Sequence, residues 1–205
     1  MDENNVTKIL KNDLQFSELS IKKLKIFHDY LLEYNKTYNL ISKNTENSIW
    51  YRHILDSAQI MRFLDTKIAI NIADLGSGAG FPGLVLALQS ESNRFHVKLY
   101  EKSAVKRDFL NNIKEKLKLE NVEVKGDIYE NNISSSIIIC RAFKKLKEII
   151  KISREIIKKP HKIIILKGKN AQTEINNVSL GPKYSYKLES SITDHDSKII
   201  LVEAN

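Results

Sequence analysis

The sequence predicts an α/β fold: a doubly wound, mostly parallel sheet with a C-terminal antiparallel hairpin, preceded by N-terminal helices. Three observations predict it. Residues 1 to 67 contain no glycine and space their apolar residues as helices do. From Ile68 onward, short apolar runs alternate with helical segments, the pattern of a parallel sheet with crossover helices. At the tail, Tyr184 to Leu188 and Lys198 to Val202 follow one another with only a polar turn between them, so they must pair antiparallel.

In the first segment, Ile21, Leu24, Phe27, Leu31 and Tyr34 recur at i, i+3, i+4 spacing, as do Trp50, Ile54, Ala58 and Met61. Two main helices result, with a short one around Val6 to Leu10. Asn35 to Asn47, rich in Asn, Thr and Ser, reads as a loop or helix cap. His53 and Asp56 share a face three residues apart, near Arg52 and Ser57. Such a cluster can hold a phosphate or a base; the plainer alternative is a solvated face or a satisfied polar contact against the next domain.

The α/β part opens with Ile68 to Gly83, IAINIADLGSGAGFPG. A buried strand breaks into a tight turn, then a helix with Pro82 near its first turn, which leaves backbone N–H groups open to a ligand. Two ligands fit this turn. Gly78, Gly80 and Gly83 satisfy the G-x-G-x-x-G of dinucleotide folds, and Asp74, Gly76, Gly78 and Gly80 spell the D-x-G-x-G-x-G of S-adenosylmethionine sites.

Phe95 to Tyr100 is the second strand, closed by Glu101, and Ser103 caps a helix with apolar face Val105, Phe109, Ile113 and Leu117. Asn121 to Lys125 is a short third strand ending at Gly126 and Asp127. Ile137 to Cys140 is a buried fourth, and Leu146, Ile149, Ile150, Ser153 and Ile157 mark a helix. Ile163 to Leu166 is the fifth strand, followed by Lys167 and Gly168. Gly168 to Pro182 reads only as loop with one helical turn.

In open α/β sheets a ligand sits beyond the carboxyl ends of the strands, where the strand order reverses. The residues placed there are Asp74 and the glycines, Glu101 at the distance of a ribose-binding carboxylate, Asp127 as partner for an exocyclic amine, and Arg141 and Phe143 after strand four. Asp74 and Gly76 favour adenosylmethionine, because the dinucleotide reading leaves both unused. The 205 residues also leave little room for a dehydrogenase's substrate domain.

Taken together, RHILDS at Arg52 to Ser57, DLGSGAGFPG at Asp74 to Gly83, CRAF at Cys140 to Phe143, LKG at Leu166 to Gly168 and YNKTYNLIS from Tyr34 resemble the ordered motifs of the small-subunit ribosomal RNA methyltransferase G family, also called glucose-inhibited division protein B. The resemblance implies a Rossmann-like class I S-adenosylmethionine-dependent methyltransferase domain at 68–205 behind a helical extension at 1–67. It implies transfer of a methyl group to N7 of one guanosine of 16S ribosomal RNA, guanine 527 in the family's usual RNA numbering. Gly76 and Phe81 map to cofactor contacts and Arg141 to a cofactor or substrate contact. Where the family often shows Arg-Ala-Glu after strand three, this chain has Asp127, Ile128 and Tyr129, so the adenine contact falls to Ile128 and Tyr129. Cys140 replaces a usual serine.

The expected cofactor residues are thus Asp74, Gly76, Gly78, Gly80, Phe81, Glu101, Asp127, Ile128, Tyr129 and Arg141. Arg141 and Lys167 are expected to position the substrate and, with Arg52 and His53, to bind RNA phosphates. Guanine N7 has a lone pair and no proton to lose, so no acid or base catalyst is expected and no metal is called for. The formal charge of +8 and pI near 9.3 fit a polyanionic partner, 16S RNA or the small subunit, rather than DNA or a membrane. A single cysteine rules out an internal disulfide and fits a reducing compartment. MDENNVTKIL has early acids and no apolar core like that of a signal peptide, so a cytoplasmic monomer is expected. An NAD-dependent oxidoreductase and a noncatalytic RNA-binding ribosome-assembly factor are the alternatives.

Overall fold

The computed structural model describes residues 1–89, 94–130, 133–157 and 159–205. Among them lies a seven-stranded sheet of order β3-β2-β1-β4-β5-β7-β6. Its strands are β1 (Ile70–Leu75), β2 (Phe95–Tyr100), β3 (Val122–Lys125), β4 (Ile137–Arg141), β5 (His161–Lys167), β6 (Tyr184–Ser190) and β7 (Lys198–Ala204). β1 to β5 pair parallel, and β7 pairs antiparallel with both β5 and β6. The run of strands from β1 out to β3 reverses at the β1–β4 pair, which makes that junction the switch point where such sheets bind ligands. The expected sheet and terminal hairpin are both present. β1 starts at Ile70 and not at Ile68, whose side chain is exposed.

Helices α1 (Glu3–Asn12) and α2 (Glu18–Tyr38) start with side-chain caps: Asp2 accepts from Asn5 N and Ser17 from Ser20 N. Their apolar stripes, Val6 and Leu10 on one and Ile21, Leu24, Phe27 and Leu31 on the other, are buried. They do not form a core of their own. The same apolar cluster runs through Phe81 and Leu84 to Ile72 and Val97 of the sheet and Phe109 of α5 (Ala104–Lys116). Phe27 sits at its centre, with ring centroids 5.2 Å from Phe81 and 6.4 Å from Phe109.

Three expectations need correction. Asn35 to Asn47 is not all loop, because α2 continues to Tyr38 and ends at Asn39 in the left-handed conformation (φ 46°). Asn35 is buried and staples the following chain: its amide donates to Ile41 O and Glu46 Oε1, and its oxygen accepts from Ile41 N. The second helix is not a regular α-helix either. Trp50–Leu55 is a π turn, α3 (Asp56–Ala58) a single α turn, and Gln59–Phe63 a 3-10 turn. The change of winding is a departure that recurs at functional sites. In α5, Val105 is exposed and Leu110 takes its place on the buried face, while Ser103 stands at the N-cap without making a side-chain cap bond.

The remaining helices complete the layers. α4 (Gly83–Gln89) is buried against β2, α6 (Leu146–Ile156) and the short α7 (Ala171–Asn176) cover the other face, and α7 supplies the helical turn expected after Gly168. No helix of the described residues is long and apolar enough to cross a membrane.

If the N-terminal helices and the sheet share one core, Phe27→Ala costs about 3–5 kcal/mol. Urea denaturation of that variant should show one transition at a lower midpoint, whereas two separate transitions would mark residues 1–67 as an independent unit.

Candidate functional site

The turn after β1 is fixed by two carboxylates. Asp74, fully buried, accepts from Gly83 N through Oδ2 (2.9 Å), tying the end of β1 to the first residue of α4. Glu101, just past β2, accepts from Gly78 N through Oε2 and from Ser103 N through Oε1, each at 2.9 Å. The turn is thus clamped from behind and from the side.

Its glycines answer to different demands. Gly76 (φ 73°) and Gly80 (φ 95°) lie in the left-handed region, and a Cβ would overlap Phe143 at the first and Leu84 at the second. Gly83 has no such backbone. It is small because a Cβ would strike Leu99 and Asp74, so the third glycine of the dinucleotide spacing is accounted for by helix–strand packing.

In front of the turn lies a cavity of about 560 Å3. Gly76, Ser77, Gly78 and Ala79 form its floor, Glu101 and Lys102 one wall, Asp127, Ile128 and Tyr129 a second, and Arg141 to Lys144 a third. Leu40, Ile41, His53 and Phe81 close it from the N-terminal side. Its size and its mix of apolar wall and few polar groups suit a nucleoside-sized ligand. Glu101 keeps unused lone pairs beyond its two backbone bonds, so it can still accept from ribose hydroxyls. Ile128 is buried, Tyr129 exposed, and Asp127 Oδ1 accepts from Tyr129 N at 3.0 Å.

The structure brings most of the expected residues together, but not all. Asp74 and Gly80 lie behind the cavity and shape the turn; they do not line it. Burial pushes the Asp74 carboxyl up to about 7, despite the Gly83 bond, and its Oδ1 has no hydrogen-bond partner. Cys140, in β4, is wholly buried, and burial, then the Asp74 charge, push its thiol up, so it is not a nucleophile.

Arg141 is the hub. Its guanidinium donates to Arg52 O (3.0 Å), Asp56 Oδ2 (3.3 Å) and His53 Nδ1 (2.8 Å), and lies 5.1 Å from the centroid of the Phe81 ring. His53 stacks on the same ring at 5.1 Å. Because Nδ1 faces a guanidinium that can only donate, that nitrogen must accept and Nε2 must carry the proton. Nε2 then donates to Thr45 Oγ1 (2.9 Å), which donates to Ser42 O (2.8 Å). Burial, followed by the Arg141 and Arg52 charges, lowers the imidazole to about 3. His53 is therefore neutral with both nitrogens engaged, which corrects the expectation that it neutralises RNA phosphate. The plainer alternative, a satisfied polar contact against the sheet, describes His53.

Lys167 is also more committed than expected. It does not line the first cavity; its Nζ donates to Lys144 O (2.8 Å) and Glu174 Oε1 (3.0 Å) and forms an ion pair with Glu174, 2.9 Å from Oε2. Burial raises the Glu174 carboxyl, but bonds from Lys167 and Leu146 N outweigh this and leave it below its usual value. Glu174 so caps α6, whose N-cap Lys145 makes no side-chain bond. Residues missed from sequence include Asp56 as the Arg141 partner, Thr45, and Ala142, whose φ of 50° is unusual for a non-glycine.

Residues 20–199 match the family model described as GidB, rRNA small subunit methyltransferase G. The ribosomal RNA small subunit methyltransferase G of Rickettsia akari is 38% identical over 92% of this chain and 96% of its own length, and that of Orientia tsutsugamushi 36% identical over 91% and 92%. An O-methyltransferase from Bacillus cereus in complex with SAH shares the fold at TM-score 0.62 and 12% identity, covering 98% of this chain and 97% of that one. A SAM-dependent methyltransferase from Aquifex aeolicus does so at TM-score 0.57 and 14% identity, over 78% and 94%.

Two outcomes follow from the geometry. Gly76→Ala, strained and driven into Phe143, should lose about 1–3 kcal/mol of stability in chemical denaturation. His53 has a folded pKa near 3, below its unfolded value of about 6.5. Its contribution is complete above pH 6.5 and is lost as pH falls toward 3, when the unfolded chain binds the proton and the folded one does not. The melting temperature of His53→Gln should therefore decline less than that of the wild type between pH 7 and pH 4.

Proposed function

This chain belongs to the rRNA small subunit methyltransferase G family, and from that premise we propose that it transfers the methyl group of S-adenosylmethionine to N7 of one guanosine in 16S ribosomal RNA. The observation that carries the reading is the clamped glycine turn flooring a nucleoside-sized cavity at the β1–β4 switch point, with Glu101 beside it. Bound there, adenosylmethionine supplies a sulfonium methyl electrophilic enough to be taken by a neutral nitrogen.

The residues present fit that group. Amides and small residues of the Gly76–Ala79 floor leave room for the amino-acid end, Glu101 accepts from the ribose, and Ile128 with Tyr129 gives the adenine an apolar slot. Arg141 and Phe143 stand at the side where substrate enters. Guanine N7 needs no base to remove a proton, and the one imidazole in the wall has no free nitrogen to act as one. Catalysis then reduces to orientation: holding N7 in line with the methyl, an effect that contributes roughly 7–11 kcal/mol in well-aligned systems.

Exposed Arg52 and Lys102, together with the half-buried Lys106 and Lys144, supply cations around this cavity and its entrance. They take the phosphate-binding role expected of His53 and Lys167. The enzyme acts in the cytoplasm, as a monomer, on the small subunit or its RNA.

Incubation with tritiated adenosylmethionine and small subunits from cells lacking this modification should yield labelled 7-methylguanosine at a single site; well-folded protein that gives none would overturn the reading. Affinity for the RNA should also drop steeply between 50 and 200 mM salt, by a slope of roughly one per phosphate contact. A salt-independent affinity would leave the charge of +8 without a role in binding.

A further inference from the structure

Behind the Arg141–Ala142 wall lies a second, smaller cavity of about 220 Å3. It opens between the 3-10 turn at Gln59, the carboxyl ends of β4 and β5 and the start of β7, and its lining includes Asp56, Arg141, Gly168, Ser197 and Lys198. Arg141 and Ala142 line both cavities. The residue in the left-handed conformation therefore stands in the partition, a place where strain is held because the surroundings demand it. In volume the second cavity stands to the first roughly as a purine base stands to an adenosyl amino acid.

Resting on the function proposed above, we propose that this second cavity seats the target guanine, and that Asp56 reads its Watson–Crick edge. The chemistry is directional. Guanine presents N7 and O6 as acceptors on one edge and N1–H with the 2-amino group as donors on the opposite side. With N7 turned through the partition toward the first cavity, the donor edge faces away from it and requires a carboxylate. Asp56 is the carboxylate in that lining. Its Oδ1 accepts from Gln59 Nε2 (2.8 Å) and Thr193 Oγ1 (2.7 Å), which fix its plane, while Oδ2 has only the long 3.3 Å bond from Arg141. Oδ2 is the oxygen with capacity for the base. Arg141, which has donors and no acceptor, lies beside O6 and discriminates against adenine, whose amino group there is a donor.

Gly168 offers a direct test. It lines the cavity, a Cβ built on it meets nothing within 4 Å, and its backbone is outside the left-handed region. Gly168→Leu puts an apolar side chain into the second cavity, from a backbone that accepts a Cβ, and lies away from the glycine turn. It should bind S-adenosylhomocysteine as the wild type does, by calorimetry, and lose at least tenfold in kcat/KM for methylation of small subunits. Asp56→Asn is tested on subunits reconstituted with guanosine or inosine at the target; inosine lacks only the 2-amino group. Wild type should prefer guanosine by about tenfold or more, the worth of a hydrogen bond to a charged acceptor, and the variant should have lost that preference. Should Asp56→Asn be too unstable to assay, as a melting curve would show, Gly168→Leu decides alone. Wild-type turnover by Gly168→Leu, or an undiminished guanosine preference in a folded Asp56→Asn, overturns the assignment while the methyltransferase reading stands. A wild type that makes no 7-methylguanosine overturns both.

Discussion

Two buried or nearly buried carboxylates, at the ends of adjacent parallel strands, hold the turn on which the rest of the site depends. Asp74 pulls Gly83 back onto β1, and Glu101 pulls Gly78 toward β2. Without them a run of four glycines in eight residues would be the most entropically expensive stretch in the chain to order. With them, the backbone is fixed before any ligand arrives. The two acids differ in consequence. Asp74 is sealed off and its proton affinity is raised by burial, whereas Glu101 remains at the cavity with lone pairs to spare. One carboxylate is structural and the other is placed to bind.

The same division governs the cations. Arg141 and Lys167 look alike in sequence, each ending a buried strand. Lys167 is absorbed into an ion pair with Glu174 that organises the start of α6, and a partly buried pair of this kind fixes geometry more than it adds stability. Arg141 instead bridges layers. By gripping Arg52 O, Asp56 and His53, it fastens the π turn at Trp50–Leu55 to the end of β4. The irregular winding turns Arg52 O and the His53 and Asp56 side chains toward one guanidinium. The N-terminal helices are thus joined to the sheet by polar as well as apolar contacts, the apolar cluster at Phe27 and this polar fork at the edge of the cavity among them.

The sheet, its crossovers and the terminal hairpin were legible because parallel strands buried on both faces must be written as continuous apolar runs, and Ile137 to Cys140 or Ile163 to Leu166 admit little else. The glycine turn was legible for a related reason: positive φ at Gly76, Gly78 and Gly80 leaves almost no other residue type. What escaped were interactions between residues far apart in sequence. His53 carries no local mark of being held neutral; that comes from burial and then from Arg141, 88 positions away. Asp74 matched a ligand-binding pattern yet faces Gly83, because the pattern records which residue shapes the turn and not which one touches the ligand. Asn35 looked like loop composition and is a buried staple, since side-chain amides satisfy backbone groups as readily inside a helix end as outside it.

A positively charged surface alone does not make an enzyme that modifies one base among many. Phosphate contacts hold a protein on RNA and carry no sequence information, so in the proposed reaction discrimination has to arise where a base edge meets a fixed donor or acceptor. In this chain the fixed groups lie in the partition between the two cavities and behind it, not at the lysine-bearing entrance. Asp56 is oriented by Gln59 and Thr193, Arg141 by His53 and Asp56, and His53 by Thr45. Each member restrains the next, and the chain of bonds ends on backbone at Ser42 O. A network tied in this way resists rearrangement when an ill-fitting base is offered, because a shift that breaks one of its bonds leaves a donor or acceptor unpaired, at a cost of about 1–3 kcal/mol where that group is buried. If the second cavity seats the base as proposed, affinity and selectivity are assigned to different residues, and a base must satisfy the partition to bring N7 to the face where the glycine turn holds its ligand.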